Sequence, residues 1–215
     1  MTPRRRIIHP TAWAWGAGWA LVSTGMVISD VYSSPNRGWT AAYLFGFAGW
    51  AIGAAVTVSF VRRQYGVNGY LTVLSIAGWA IGAFIALALG FSWMFMWNGG
   101  FWGPIVATAL GGAIGGGFTL PLRSPSPMQS MVSASLVGAF SWGVMFLIFQ
   151  TLAFYAGYLL SALMVYRLGP IIGYPWWIEL PGWVVPAGVC GLLAAQLASM
   201  SLRITGRMAG LSQSD

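Results

Sequence analysis

Read for its apolar and polar positions, the chain is a series of long apolar runs separated by short clusters of turn residues. A helix needs about twenty apolar residues to cross the hydrocarbon of a bilayer. On that measure the pattern predicts membrane helices at about 11–30, 38–61, 69–94, 101–122, 128–165 and 181–202. The breaks carry turn chemistry: Ser33-Ser34-Pro35-Asn36, Gly66-Val67-Asn68-Gly69, Asn98-Gly99-Gly100 and Ser124-Pro125-Ser126-Pro127. A membrane β-barrel would show segments of about ten residues that alternate in polarity. The unbroken apolar runs point instead to an all-α fold, a polytopic transmembrane bundle of about six helices. The expected organisation is a basic N-terminus over 1–10, one transmembrane domain over 11–202, and a tail over 203–215.

The fifth run is the difficult one. Its 38 residues would make a helix about 57 Å long at about 1.5 Å per residue. It could project, tilt, or kink near Gly143 or Gly157. It could also be two spans, although no turn residues mark a reversal.

Charge decides between one span and two. With the N-terminus in the cytoplasm and six alternating spans, Arg4, Arg5, Arg6, Arg62, Arg63, Arg123, Arg203 and Arg207 fall inside. Only Arg37 and Arg167 fall outside, facing Asp30 and Glu179. That asymmetry fits the positive-inside rule, and splitting the fifth run would send Arg203 and Arg207 outside. The expected protein is therefore a multi-pass protein of the bacterial inner (cytoplasmic) membrane with both termini in the cytoplasm. The first apolar run is read as a retained helix and not as a cleaved leader, since no small-residue cleavage site follows it.

Composition supports the membrane reading. Hydrophobic residues make up 58% of the chain and charged ones 6%, against about 25% charged in a soluble domain. The net charge of +7 comes entirely from arginine. These arginines sit at the ends of apolar runs and not on one face, which speaks against nucleic acid as a partner. The single cysteine, Cys190, lies within an apolar run and cannot form a disulfide inside one chain.

The heptad at 48–54, Ala-Gly-Trp-Ala-Ile-Gly-Ala, recurs unchanged at 77–83, with a weaker copy over Gly112-Ala113-Ile114-Gly115-Gly116. Three runs begin with Trp and end with Arg: Trp39 to Arg62, Trp102 to Arg123, and Trp183 to Arg203. Any inward-running helix would carry those interface markers. The alternative is three parallel two-helix hairpins, 11–61, 69–122 and 128–202. Gly49 and Gly53, Gly78 and Gly82, Gly111 and Gly115, and Gly112 and Gly116 each stand four apart, a spacing that lets two helix backbones approach closely. The glycine-rich fourth run is expected at the centre of the bundle. Its thinness would serve helix packing, the favoured reading, or leave room for a pigment, quinone or lipid tail.

The segment Val61-Arg62-Arg63-Gln64-Tyr65-Gly66, an aromatic start at Tyr70, and Leu74 through Gly82 resemble a repeat unit of Gly/Trp-rich polytopic membrane proteins of cyanobacteria and filamentous phototrophic bacteria. The resemblance covers roughly 39–123. Val58-Ser59 stand where that unit commonly has Gln-Trp, and the last hairpin diverges. The resemblance implies a bacterial membrane, that of a phototroph among the candidates, and brings no activity with it.

Candidate chemistry is sparse. His9, the only histidine, could ligate bacteriochlorophyll magnesium or haem iron, but a satisfied interfacial histidine is the plainer reading. Asp30 and Glu179 are expected to pair with Arg37 and Arg167 near the outer interface; a proton or ion site is the sharper reading. Gln150 is expected to hydrogen-bond a neighbouring helix. The chain has one His and no Lys, so neither a Ser-His-Asp triad nor a retinal Schiff base is expected, and an enzyme is not. Trp93, Trp97, Trp102, Trp176, Trp177 and Trp183 are expected at the outer interface. Trp176 and Trp177 lie in a stretch, Tyr174 to Pro181, expected to run flat along it and able to seat carotenoid rings or another subunit.

Two functions follow as expectations. One is a non-catalytic subunit that packs against and stabilises a larger photosynthetic or respiratory complex, with carotenoid, bacteriochlorophyll, quinone or lipid as conceivable ligands. The other is a small-solute transporter or membrane substrate-binding component.

Overall fold

The computed structural model describes residues 9–31, 38–65, 69–90, 102–119 and 128–208. Among them are six long helices and no strand: α1 (Pro10–Val31), α2 (Gly38–Tyr65), α3 (Gly69–Phe84), α4 (Trp102–Thr119), α5 (Met128–Ile172) and α6 (Leu180–Met208). A π-helical turn (Ile85–Leu89) continues α3, and a 3-10 turn (Trp176–Glu179) leads into α6. The all-α bundle expected from the pattern is the fold.

Four segments are long and apolar enough to cross a membrane: Thr40–Arg63, Gly69–Leu89, Val132–Ile172 and Trp177–Met200. This is the composition of a multi-pass membrane protein. The other two helices have a different make-up for a physical reason. Three tryptophans of α1 and six glycines of α4 lower their hydropathy. Much of α4 is enclosed by protein: all six of its glycines are buried. Lipid does not set the composition of such a surface.

The helices form a ring. Helix α1 packs on α2 and α6, α4 packs on α3 and α5, α5 reaches α6, and α2 meets α3 more lightly. Neighbours run antiparallel: Gly18 meets Gly49 while Gly25 meets Phe45, Gly82 meets Gly111 while Gly78 meets Phe118, and Gly16 meets Gly188 while His9 meets Gln196. Helix α4 therefore stands in the wall and not at the centre. Trp102, Val106 and Leu110 face outward from it. The axis is filled by side chains instead: Trp15, Trp50, Trp79, Trp142 and Phe146, each between 0 and 4% exposed.

The long fifth run is one continuous helix of 45 residues. Gly143 and Gly157 are contact points and not breaks. Gly143 lies against Ala113 and the Ala109 carbonyl of α4; Gly157 lies against the Trp183 ring of α6. The helix thus meets α4 with its first half and α6 with its second. It runs past Arg167 and Pro170 to Ile172, seven residues beyond the expected end. It stops at Gly173, whose φ of 83° is left-handed, and Tyr174 follows at φ 54°. The Gly173 N–H donates to the Gly169 carbonyl at 2.9 Å, closing the helix end. The Tyr174 ring folds back over Gly169, a position where a β-carbon would collide with it. The stretch after it holds a 3-10 turn, with the Ile178 N–H donating to the Pro175 carbonyl at 3.0 Å.

Candidate functional site

The densest chemistry on the bundle axis is aromatic. Trp15 is its hub. Its ring lies 5.3 Å from Trp50, 5.0 Å from Trp79, 5.9 Å from Trp142 and 5.0 Å from Phe146, centroid to centroid. The pairs with Trp50 and Phe146 are edge-to-face at 89° and 72°, an arrangement that sets the positive edge of one ring on the negative face of another.

Glycine makes these rings fit. A β-carbon on Gly53 would collide with the Trp15 ring, one on Gly115 with Trp79, one on Gly112 with Phe146, and one on Gly116 with Trp142. Other glycines bring backbones together. A β-carbon on Gly18 or Gly49 would overlap the carbonyl of the other, and Gly82 and Gly111 stand in the same relation. Gly78 receives the Phe118 ring. All eight glycines singled out from spacing are contact points. The room they leave is filled by the protein's own rings and carbonyls.

The indole N–H groups have specific acceptors. Trp15 Nε1 donates to Thr57 Oγ1 at 3.0 Å, and that hydroxyl donates to the Gly53 carbonyl at 2.8 Å. Trp79 Nε1 donates to Thr119 Oγ1 at 2.8 Å, and that hydroxyl donates to the Gly115 carbonyl at 2.8 Å. Ser75 Oγ adds a contact to Thr119 Oγ1 at 3.3 Å. Trp50 Nε1 donates to the Trp79 carbonyl at 3.1 Å and so bridges α2 to α3. Where lipid surrounds the helices, apolar burial no longer drives association, and close packing with such hydrogen bonds holds the bundle. The rings themselves carry no acid or base, and the buried Cys190 thiol packs in the same core cluster. The aromatic centre can close the axis, lock helix positions and offer indole donors.

The remaining predicted residues lie apart from this centre. His9 stands at the start of α1, its ring edge-on to Phe60 at 4.0 Å. Its backbone N–H donates to Gln196 Oε1 of α6 at 3.0 Å. Its Nδ1 bonds Thr11 Oγ1 at 2.6 Å and receives the Thr11 N–H at 3.4 Å. The cross-helix glutamine is thus Gln196. Gln150, the residue expected in that role, is only partly buried on α5, and no hydrogen bond from its side chain to another helix is found among the described residues.

Glu179 is partly buried and accepts from Ser161 Oγ at 3.1 Å. No ion pair joins it to Arg167 among the described residues, and Arg167 is exposed on α5. The expected pairing fails because Glu179 turns toward the buried Ser161, where α5 and α6 touch through Gly182. Trp177 is about half exposed, at 49%. Arg37 and the side chains of Asp30 and Trp176 lie outside the described residues, as do Trp93 and Trp97.

Sequence reasoning missed the centre. It assigned tryptophan to the membrane interfaces and overlooked Trp15, Trp142, Thr57, Thr119 and Ser75. The available signal was position: these tryptophans fall within apolar runs and not at their ends. The chain matches no known protein family, no curated protein and no solved structure. Its class therefore rests on its own architecture, a ring of six antiparallel helices closed by a tryptophan centre.

Proposed function

We propose that this chain is a non-catalytic integral membrane subunit that packs against other membrane-protein subunits and stabilises their assembly in the lipid bilayer. The outer face of α5 carries this reading. Its apolar segment Val132–Ile172 has 41 residues, about 62 Å of helix. Bilayer hydrocarbon is about 30 Å thick. Even a lean of about 40°, the upper end for membrane helices, leaves about 47 Å along the normal. Large side chains are exposed along its length: Leu136, Phe140, Leu159, Tyr166 and Ile171 are each between 65 and 79% exposed. An apolar surface longer than lipid can cover calls for protein to cover the rest.

The finer reading places the assembly among photosynthetic or respiratory complexes of a bacterial inner membrane, with both termini in the cytoplasm. The resemblance of 39–123 to proteins of phototrophs supports it, as do exposed aromatics such as Trp177 that could rest on carotenoid, bacteriochlorophyll, quinone or lipid. A small-solute carrier would need a path along the axis. Trp15, Trp50, Trp79, Trp142 and Phe146 stand in that path, which weighs against the alternative.

Purification from native membranes in mild detergent tests the proposal. A subunit is expected to co-purify with fixed partners in stoichiometric amount, and a pigment would appear in the visible or near-infrared spectrum. Isolation as a colourless, monodisperse particle without partners would overturn the reading.

A further inference from the structure

The end of the bundle where α2 stops and α3 starts carries positive charge that the chain itself leaves unbalanced. Arg62 and Arg63 stand in the last turn of α2, and both are exposed. No ion pair reaches either of them among the described residues. The chain holds only three carboxylates. Asp30 lies in the last turn of α1, which adjoins the start of α2, where Ser29 Oγ accepts from the Ala42 N–H at 2.9 Å. From Ala42 to Arg62 the helix runs about 30 Å, and exposed charges that far apart are largely screened, the screening length being about 10 Å. Glu179 precedes α6 at that same far end and bonds Ser161. Asp215 lies outside the described residues. The C-terminus of α2 offers about half a negative charge, against two guanidiniums.

Beside the arginines the surface turns apolar. Tyr70, in the first turn of α3, is 71% exposed, and Val73 and Ile76 follow it at 62 and 54%. Residues three apart on a helix are neighbours, so the three make one exposed strip. Gly69 leaves open space at its head, with nothing within 4 Å of where a β-carbon would stand. The order along the outside of these two consecutive helices is cation, phenol, then hydrocarbon. A phospholipid has the matching order of phosphate, ester zone and acyl chain. Tyrosine favours the headgroup level of a bilayer, and the arginine fork fits phosphate oxygens.

We propose that Arg62 and Arg63, with Tyr70, hold the headgroup of an anionic phospholipid whose acyl chain lies along Val73 and Ile76. Charge selects this occupant. A zwitterionic headgroup brings its own cation and leaves the arginine pair unbalanced, whereas an anionic one neutralises it. The proposal is independent of the subunit reading and is tested on the isolated protein.

The purified protein in a non-ionic detergent is mixed with equal amounts of dioleoylphosphatidylglycerol and dioleoylphosphatidylcholine, and native mass spectrometry measures the lipid retained. Phosphatidylglycerol is expected to be favoured by about fivefold for each arginine, and so by about thirtyfold for the pair. R62Q/R63Q is expected to bring the two lipids close to parity. R62Q and R63Q alone are each expected to leave an intermediate preference, and R167Q, toward the opposite end of the bundle, to keep the full one. Equal retention of the two lipids by the parent overturns the proposal, as does a preference undiminished in R62Q/R63Q. Inorganic phosphate that displaces phosphatidylglycerol at millimolar concentration also overturns it, because the site would then take a free anion. In native membranes, benzoylphenylalanine in place of Tyr70 is expected to cross-link to phospholipid. Capture of a protein chain there instead, a second copy or another subunit, overturns the assignment.

Discussion

Replacing Thr119 by valine tests whether indole–threonine bonds lock the helices. Valine keeps nearly the same shape and removes only the hydroxyl. That hydroxyl accepts from Trp79 Nε1 at 2.8 Å and also touches Ser75 Oγ at 3.3 Å. Trp79 is 1% exposed, so its N–H stays enclosed when the acceptor goes. Two magnitudes compete. Side-chain hydrogen bonds between membrane helices average about 0.6 kcal/mol in double-mutant cycles, because the unfolded state in the membrane also finds partners. A buried donor left without any acceptor costs about 1–3 kcal/mol. The second governs here, because valine abolishes the acceptor and the tight rings exclude a substitute. T57V removes the 3.0 Å bond from Trp15 together with the hydroxyl's own 2.8 Å bond to the Gly53 carbonyl, and is expected to cost about 1–2 kcal/mol. T119V is expected to cost more, about 2–3 kcal/mol, since Ser75 loses a neighbour as well. T119S is expected to recover most of the loss. Reversible unfolding in mixed micelles, titrated with a denaturing detergent, measures all three. The argument is refuted if T119V costs less than T57V, or if both fall below about 0.5 kcal/mol.

Other positions give sharp contrasts. G18A and G82A each drive a methyl into a facing backbone carbonyl and are expected to destabilise by about 1–3 kcal/mol. G188A has its nearest neighbours at 3.4 and 3.5 Å; with alanine the better helix former by up to about 1 kcal/mol, it is expected to be neutral or stabilising in the same assay. Q196L removes the acceptor of the His9 N–H and is expected to cost about 0.5–1.5 kcal/mol, with faster amide exchange at the start of α1. R167A is expected to stay within about 0.5 kcal/mol of the parent, since Arg167 is exposed and Glu179 bonds Ser161; a larger loss would revive the ion pair.

The fold was largely legible because lipid imposes a composition. Apolar runs and turn clusters located all six helices, with starts within about one residue of those observed. Ends were less legible. Arg62, Arg63 and Arg167 were read as loop charges, yet α2 and α5 continue through them; arginine near a helix C-terminus is favourable and does not stop the helix. Glycine spacing reported real contacts, but not what filled them. The identical heptads at 48–54 and 77–83 misled most. Trp50 and Trp79 occupy the same place in the same seven residues, yet Trp50 donates to a carbonyl of α3 and Trp79 to a hydroxyl of α4. Tryptophan suits both a headgroup belt and a protein interior, since it joins a large apolar body to one polar edge. Which of these it occupies depends on an acceptor far away in sequence, and local pattern carries no record of that.

The seam between α1 and α6 imposes an order on assembly. The pairs that define α1–α2 and α3–α4 lie within single hairpins, so each can lock as soon as its second helix is made. Gly16 with Gly188, His9 with Gln196 and Thr11 with Ser199 join residues more than 170 positions apart. Until α6 is synthesised, one flank of α1 faces lipid or a chaperone with its backbone groups uncovered, and a ribosome stalled before that point would release an open arc and not a closed ring.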